Sequence, residues 1–206
     1  MKRYEDMGSM EMDVMREIGS IGTGNAATAL AEVISSKIQM TIPEVEILGY
    51  NEAIKKMGGP ESIVAGVLVQ MSGEIEGMML YIQRLDFINL VLEKLLSGRI
   101  TGYEQLGEME MSALVEIGNI MISSYINAVS KLTGISINLS VPGIAVNMLG
   151  GILTVPMIEF GHQTDKIMAI NGKFVCDNKE VYSNLLMLPN VDSLNYLLKK
   201  LGVYHE

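Results

Sequence analysis

The first half of the chain is repeated in the second half at a fixed offset of 99 residues. Residues 10–21 read MEMDVMREIGSI, and residues 109–120 read MEMSALVEIGNI. The same register continues without a gap until Pro43 lies over Pro142. A repeat of this kind indicates two copies of one structural unit, which most simply pack around a pseudo-twofold axis, each burying a face that the other completes.

The later parts of the two halves match more loosely but in the same order. Residues 92–98 (LEKLLSG) resemble residues 198–202 (LKKLG). We therefore assign the two repeats to residues 8–98 and 107–202 and expect them to form a single domain over residues 1–206. A chain of 206 residues is long enough to bury a substantial core in one such domain.

Hydrophobic periodicity and Gly/Pro punctuation predict helix, strands and helix in each repeat. The predicted helices are 13–36, 86–96, 109–133 and 191–201, and the predicted strands are 45–48, 63–71, 74–83, 144–149, 152–160, 167–176 and 180–188. We expect Ser72 and Gly73 to join two strands in a hairpin. The expected fold class is α/β, with one antiparallel-rich sheet flanked by helices.

Composition excludes several classes of protein. The net charge of −9 and the scattered Lys and Arg residues argue against nucleic-acid binding. One cysteine, Cys176, excludes a disulfide framework and a Cys-based zinc site, and two histidines, His162 and His205, exclude a His-rich metal site. No apolar run is long enough to span a membrane, and the acidic N-terminus is unlike a secretory signal. We expect a cytoplasmic protein.

Methionine dominates the large apolar residues. The chain has 17 Met against three Phe and no Trp. Because the thioether side chain is flexible and polarizable, methionine fills irregular gaps in a core, and it also serves at adaptable binding surfaces. Packing is the simpler explanation for most of these residues, and the sequence leaves open that a few of them contact a partner.

The first helix of each repeat carries three polar residues at i, i+4 and i+7. They are Asp13, Glu17 and Ser20 in the first repeat and Ser112, Glu116 and Asn119 in the second. At 100° per residue each set forms one stripe about 60° wide. A solvated face of an amphipathic helix would also be polar, but both copies place a carboxylate one turn before a small hydrogen-bonding side chain. We expect Gly19 and Gly118 to leave the stripes sterically open.

The chemistry of the pair Glu116 and Asn119 indicates what the stripe can do. A carboxylate pairs with a cation, and an amide orients a water through its oxygen while donating through its nitrogen. Such a pair suits the positioning of a water against an electrophile that another molecule supplies, much as a Gln does in small GTPases. The sequence around the pair has no His or Lys that would make it a nucleophile–base site.

The arrangement resembles the CheC family of phosphatases, which act on the phosphorylated chemotaxis response regulator CheY. The pattern is Asp/Ser-x3-Glu-x2-Asn with a Pro after 22 further residues. The second repeat carries it in full as Ser112, Glu116, Asn119 and Pro142, and the first carries Asp13, Glu17 and Pro43 with Ser20 in place of Asn. Residues 17–29 (EIGSIGTGNAATA) also resemble the Gly-Asn-Ala-Ala-Thr-Ala helix of that family.

The resemblance implies a function and partners. The Glu would pair with a lysine of the regulator near its acyl phosphate, the Asn would position the hydrolytic water, and the Pro would help to set the chain as it leaves the helix. Both stripes would lie on one face of the domain. The regulator would carry the Mg²⁺, so that this chain would need no metal or cofactor of its own, and the deamidase CheD would be a further partner. The alternative is a non-catalytic adaptor in chemotaxis or the flagellar switch, which would bind the regulator or CheD.

The two stripes are not expected to be equal. A Ser hydroxyl is shorter than an Asn amide and cannot present an acceptor and an NH₂ donor together. We therefore expect Glu116 and Asn119 to form the main catalytic site, and Glu17 and Ser20 a weaker second one. Asn25 is an alternative source of the missing amide, but it lies about 140° around the helix from Ser20.

Overall fold

The computed structural model describes residues 4–161 and 164–203, without the side chain of Glu5. Both histidines, His162 and His205, lie outside the described residues, so their predicted lack of a metal-binding role has no structural counterpart here. In the described part of the chain, no helix has both the length and the apolar character needed to span a membrane.

Each repeat forms the same order of elements: helix, two strands, helix, two strands, helix. The first repeat contains α1 (Ser9–Val33), β1 (Gln39–Met40), β2 (Glu44–Gly49), α2 (Tyr50–Lys56), β3 (Ile63–Gly73), β4 (Gly77–Gln83) and α3 (Leu85–Leu95). The second contains α4 (Glu108–Thr133), β5 (Ile137–Leu139), β6 (Gly143–Met148), α5 (Leu149–Phe160), β7 (Lys166–Cys176), β8 (Lys179–Pro189) and α6 (Val191–Lys200). The duplication seen in the sequence is therefore also a duplication of secondary structure.

The long helices α1 and α4 begin in the same way. A glycine precedes each helix, and its backbone N–H donates to the carboxylate Oε2 of the glutamate three residues later, at 3.0 Å for both Gly8 to Glu11 and Gly107 to Glu110. These bonds satisfy a backbone donor that lies outside the helical hydrogen-bond pattern, and the negative charges lie near the positive end of the helix dipole. Both stripes are thus built on helices with a defined start.

The strands form one antiparallel sheet to which both repeats contribute. The strand order is β1-β7-β8-β4-β3-β5, with β2 also pairing with β7 and β6 also pairing with β3. The first two strands of each repeat therefore pair with the hairpin of the other repeat. If each strand is replaced by its counterpart in the other repeat, the strand order is unchanged except that it is read from the opposite edge of the sheet. This agrees with the expected pseudo-twofold symmetry and with the predicted α/β class.

The centre of this symmetry lies between β4 and β8. Leu80 of β4 pairs with Leu186 of β8. These leucines are 106 residues apart, the same offset that relates Leu92 to Leu198 in the loosely matching ends of the repeats. A local twofold axis passes between two equivalent residues that pair across neighbouring strands. The axis of this protein therefore passes between Leu80 and Leu186.

Helices cover both faces of the sheet. Alternate residues of β4 point to opposite sides, with Met79 and Tyr81 in the core beneath α1, α4, α3 and α6, and Leu80 and Ile82 in the core beneath α2 and α5. The shared face of α1 and α4 includes Gly22, where a Cβ would lie 2.6 Å from Cδ2 of Tyr125. The small residue lets the two helices approach closely.

The predicted strand over residues 152–160 is wrong, because these residues belong to helix α5. The β-branched residues of this segment favour a strand, and Pro156 disfavours the interior of a helix. Leu149, Ile152, Leu153 and Pro156 are nevertheless buried at i, i+3, i+4 and i+7, which is the spacing of a helix face. Packing of that face against the sheet outweighs the local preference of the side chains.

Two further differences concern the first repeat. The short helix α2 was not predicted, although Tyr50, Ala53 and Ile54 are buried at helical spacing. The hairpin turn was placed too early, because β3 extends to Gly73 and β4 begins at Gly77. Gly73 and Gly77 have φ angles of +101° and +156°, which favour glycine, so that the turn is set at these two positions.

Candidate functional site

The stripe on α4 faces away from the sheet. The side chain of Glu116 is exposed and that of Asn119 is half-buried, whereas Ile117 and Gly118 between them are buried. The helix therefore turns its apolar side to the core and leaves the carboxylate and the amide accessible to another molecule.

The two polar side chains are close enough to act together. Residues three apart on a helix have Cβ atoms about 5–6 Å from each other. In the described part of the chain, neither Glu116 nor Asn119 makes a side-chain hydrogen bond or an ion pair within the protein. Their carboxylate and amide groups are thus available for a partner cation and for a water.

The stripe on α1 has the same orientation but a different chemistry. Glu17 is exposed and Ser20 is half-buried, as are their counterparts in the second repeat. Asp13 accepts a hydrogen bond from Nη1 of Arg16 at 2.7 Å, and this ion pair is solvent-exposed. Arg16 corresponds to Val115 in the second repeat, so the ion pair at the first stripe has no counterpart at the second. An i, i+3 ion pair of this kind could have been predicted from the sequence, and it was missed.

The prediction for Gly19 and Gly118 is wrong, because these residues face the sheet and do not border the open side of the stripes. A Cβ on Gly118 would lie 2.6 Å from Cβ of Val67, and one on Gly19 would lie 2.9 Å from Cγ2 of Val45. Each glycine is about 160° around the helix from the glutamate two residues earlier. The glycines therefore allow the helices to lie directly on the sheet.

The two glycines rest on equivalent places in the sheet. Gly19 lies over the cross-strand pair Val45–Ile170, with Ile170 Cγ2 3.8 Å from the position of a Cβ. Val67, beneath Gly118, pairs with Ile144, which corresponds to Val45 in the repeat. Equivalent contacts of this kind place the two stripes at symmetry-related positions on the outer side of the α1–α4 layer.

The prolines of the pattern lie beyond the ends of the long helices. Helix α1 ends at Val33 and helix α4 ends at Thr133, nine to ten residues before Pro43 and Pro142. Each proline stands between two short strands, immediately before β2 or β6. Pro43 is buried, with its Cγ 3.7 Å from the position of a Cβ on Gly19. Its contact with the sheet-facing side of α1 indicates a structural role in supporting the helix.

Tyr125 lies where the two helices meet. Its side chain is fully buried, its hydroxyl has no hydrogen-bond partner within the described residues, and burial raises its pKa. In the first repeat the corresponding residue is Ala26. The ring fills the space that Gly22 leaves, so this contact holds the helices that carry the stripes together.

Asn25 does not join the first stripe. It is exposed on α1 directly after Gly24, and helical geometry places it about 140° from Ser20. The structure brings no other amide of α1 onto the stripe of Glu17. In residues 4–161 and 164–203, no group of three or more acidic, Cys or His side chains is arranged to hold a metal ion.

Comparison with known proteins identifies the repeated unit. The sequence model of the CheC-like family matches residues 10–47 and 109–146, which run from the start of each long helix into β2 and β6. One matched segment lies in each repeat. The resemblance to the CheC family predicted from the stripes is thereby confirmed, and so is the internal duplication.

A curated relative extends this similarity over the whole chain. The protein named CheY-P phosphatase CheC, from Bacillus subtilis, is 29% identical over 206 residues, which cover 98% of this chain and 99% of the relative. The similarity to this relative therefore includes both repeats.

Solved structures show the same fold. FliY from Thermotoga maritima has a TM-score of 0.74 at 21% identity, with 95% of this chain and 98% of that chain covered. A chain of the CheX–CheY–BeF3–Mg complex from Borrelia burgdorferi has a TM-score of 0.54 at 15% identity, with 81% and 94% covered. The predicted α/β fold, with an antiparallel-rich sheet flanked by helices and pseudo-twofold symmetry, is thus the fold observed.

Proposed function

We propose that this protein is a phosphatase that hydrolyses the aspartyl phosphate of a CheY-type response regulator. The observation that carries the proposal is the pair of exposed Glu116 and half-buried Asn119 on the outer side of a CheC-like helix. The full-length relative is named a CheY-P phosphatase, and one fold neighbour comes from a complex that contains CheY, which supports the same substrate.

Glu116 holds the substrate in place. Its exposed carboxylate pairs with a lysine of the regulator beside the acyl phosphate, which brings the phosphorus within reach of the next turn of the helix. The net charge of −9 favours the approach of a partner surface that offers lysine.

Asn119 positions the water. Its amide oxygen accepts a hydrogen bond from the water and directs a lone pair of the water oxygen toward phosphorus. The new P–O bond forms as the bond between phosphorus and the aspartyl oxygen breaks, which leaves an aspartate carboxylate, inorganic phosphate and a proton released to solvent. A Mg²⁺ on the regulator offsets the charge of the phosphoryl oxygens, so this chain supplies no cofactor.

A regulator phosphorylated with a small-molecule donor in Mg²⁺ tests the proposal. We expect phosphate release to become faster in proportion to the amount of this protein added. Binding of the phosphorylated regulator without acceleration would identify the protein as an adaptor instead, and no binding at all would exclude both functions. The reaction is proposed for the cytoplasm, and CheD stays a predicted partner.

We expect the substitution Ser20→Asn to increase activity. Ser20 is half-buried at the position of Asn119, and a longer amide there would complete the first stripe beside the exposed Glu17. Because two equal sites double the capacity of one, the increase should be at most about twofold. The initial rate of phosphate release at low regulator concentration measures it.

The variant Asn25→Ser is the control for this prediction, because Asn25 lies on a different side of α1. It should leave the rate unchanged. An increase with Ser20→Asn that persists after Glu17→Ala would contradict the assignment of the gain to the first stripe.

A further inference from the structure

Each stripe continues beyond its polar residues to an exposed methionine. Met10 and Met109 lie seven residues before Glu17 and Glu116, which places them about 20° from the glutamates around the helix. Their exposed fractions are 60% and 66%. Each stripe thus has an apolar side chain at its N-terminal end.

The fold accounts for the neighbours of these methionines but not for the methionines themselves. The sequence Met-Glu-Met occurs at residues 10–12 and again at 109–111. The glutamates cap their helices, and the second methionines are half-buried, with Met12 packed against the core. Met10 and Met109 bury too little surface to contribute much to the core, although both repeats retain them while Asp13 and Ser112 differ.

We propose that Met109 is an apolar docking contact for the phosphorylated regulator, with Met10 as its counterpart on the weaker first stripe. The inference rests on the proposed function. The polar pair orients the substrate, but exposed charges add little affinity on their own, and methionine is enriched where interfaces bury apolar surface. A flexible thioether can adapt to an uneven partner surface.

The position of Met109 identifies the regulator as the occupant. Seven residues of helix correspond to about 10 Å between Met109 and Glu116. A standard interface covers about 800 Å² on each partner, which is a patch of roughly 16 Å radius. A regulator patch of this size centred on Glu116 therefore also covers Met109.

The variants Met109→Gln and Met109→Leu test the contact. Gln and Leu are good helix formers close to Met in size, so both variants should fold. With the phosphorylated regulator as substrate, we expect Met109→Gln to raise KM about tenfold with kcat nearly unchanged, and Met109→Leu to stay within twofold of the wild type. Met157→Gln is the matched control, because Met157 is an exposed methionine of helix α5 outside both stripes, and this variant should change KM less than twofold.

A KM for Met109→Gln within twofold of the wild type would overturn the proposal, as would an equal loss with Met109→Leu. Calorimetric titration with the phosphorylated regulator provides a second measurement that does not depend on turnover. If the wild type binds the regulator without hydrolysing it, the proposed function fails, and weaker binding by Met109→Gln still supports the docking contact. If the wild type does not bind at all, both proposals fail.

Discussion

Replacement of Glu116 or Asn119 by alanine should remove most of the phosphatase activity. Glu116→Ala removes the carboxylate that pairs with the lysine of the regulator, and Asn119→Ala removes the amide that aims the water. The loss of one positioned group in a site that acts by orientation lowers the rate by about 10- to 100-fold. Alanine is the strongest helix former, and Glu116 is exposed, so α4 should remain intact. The rate of regulator dephosphorylation measures the effect.

The matched variant in the first repeat separates the two sites. Glu17→Ala changes the same kind of exposed carboxylate on the same kind of helix, but its stripe has Ser20 in place of an amide. We expect this variant to retain much of the activity. Equal losses from Glu17→Ala and Glu116→Ala would show that the two stripes contribute alike and would overturn the ranking.

The substitution Gly118→Ala should destabilise the protein by up to about 2 kcal/mol. The added Cβ would lie 2.6 Å from Cβ of Val67, an atom fixed to the backbone of a central strand, so that either α4 or β3 must move. Overpacking of this kind costs about 1–3 kcal/mol, which exceeds the gain of about 1 kcal/mol from replacing glycine in a helix. The free energy of unfolding in urea measures the difference.

Two other glycines of the helix layer serve as controls for that measurement. Gly24 has no atom within 4 Å of a Cβ position, so Gly24→Ala should stabilise the protein by about 0.5–1 kcal/mol. A Cβ on Gly19 would meet the methyl Cγ2 of Val45 at 2.9 Å, which can shift more easily than a Cβ, so Gly19→Ala should fall between the two. A Gly118→Ala protein as stable as Gly24→Ala would contradict the close contact between α4 and the sheet.

Helix α5 illustrates why local sequence was insufficient for part of the fold. It contains β-branched residues that favour a strand, and it includes Pro156, which disfavours the interior of a helix. The helix forms because Leu149, Ile152 and Leu153 pack against the second core of the sheet. That core exists only after β4 and β8 have paired across the repeats. The helical spacing of the buried residues is masked in the sequence by apolar residues that are exposed in the structure, namely Val155, Met157 and Ile158.

The glycines of the site show the same limit only in part. They were expected to border an open stripe because they lie close to Glu17 and Glu116 in sequence, although the rotation of 100° per residue already places them on the opposite side of the helix. Only the distance to Val67 and Val45 shows that they set how closely the helices approach the sheet. Arg16 and its ion pair with Asp13, in contrast, follow from i, i+3 spacing alone.

The sequence alone determines two features of this protein. The duplication follows from the constant offset of 99 residues, and the polar stripes follow from the rotation of 100° per residue in a helix. Both depend on residues close in sequence or on direct comparison of the two halves. The exchange of β1 and β2 onto β7, and of β5 and β6 onto β3, depends on contacts between distant residues. Burial of apolar surface between the halves selects that pairing, since neither half has a complete sheet of its own.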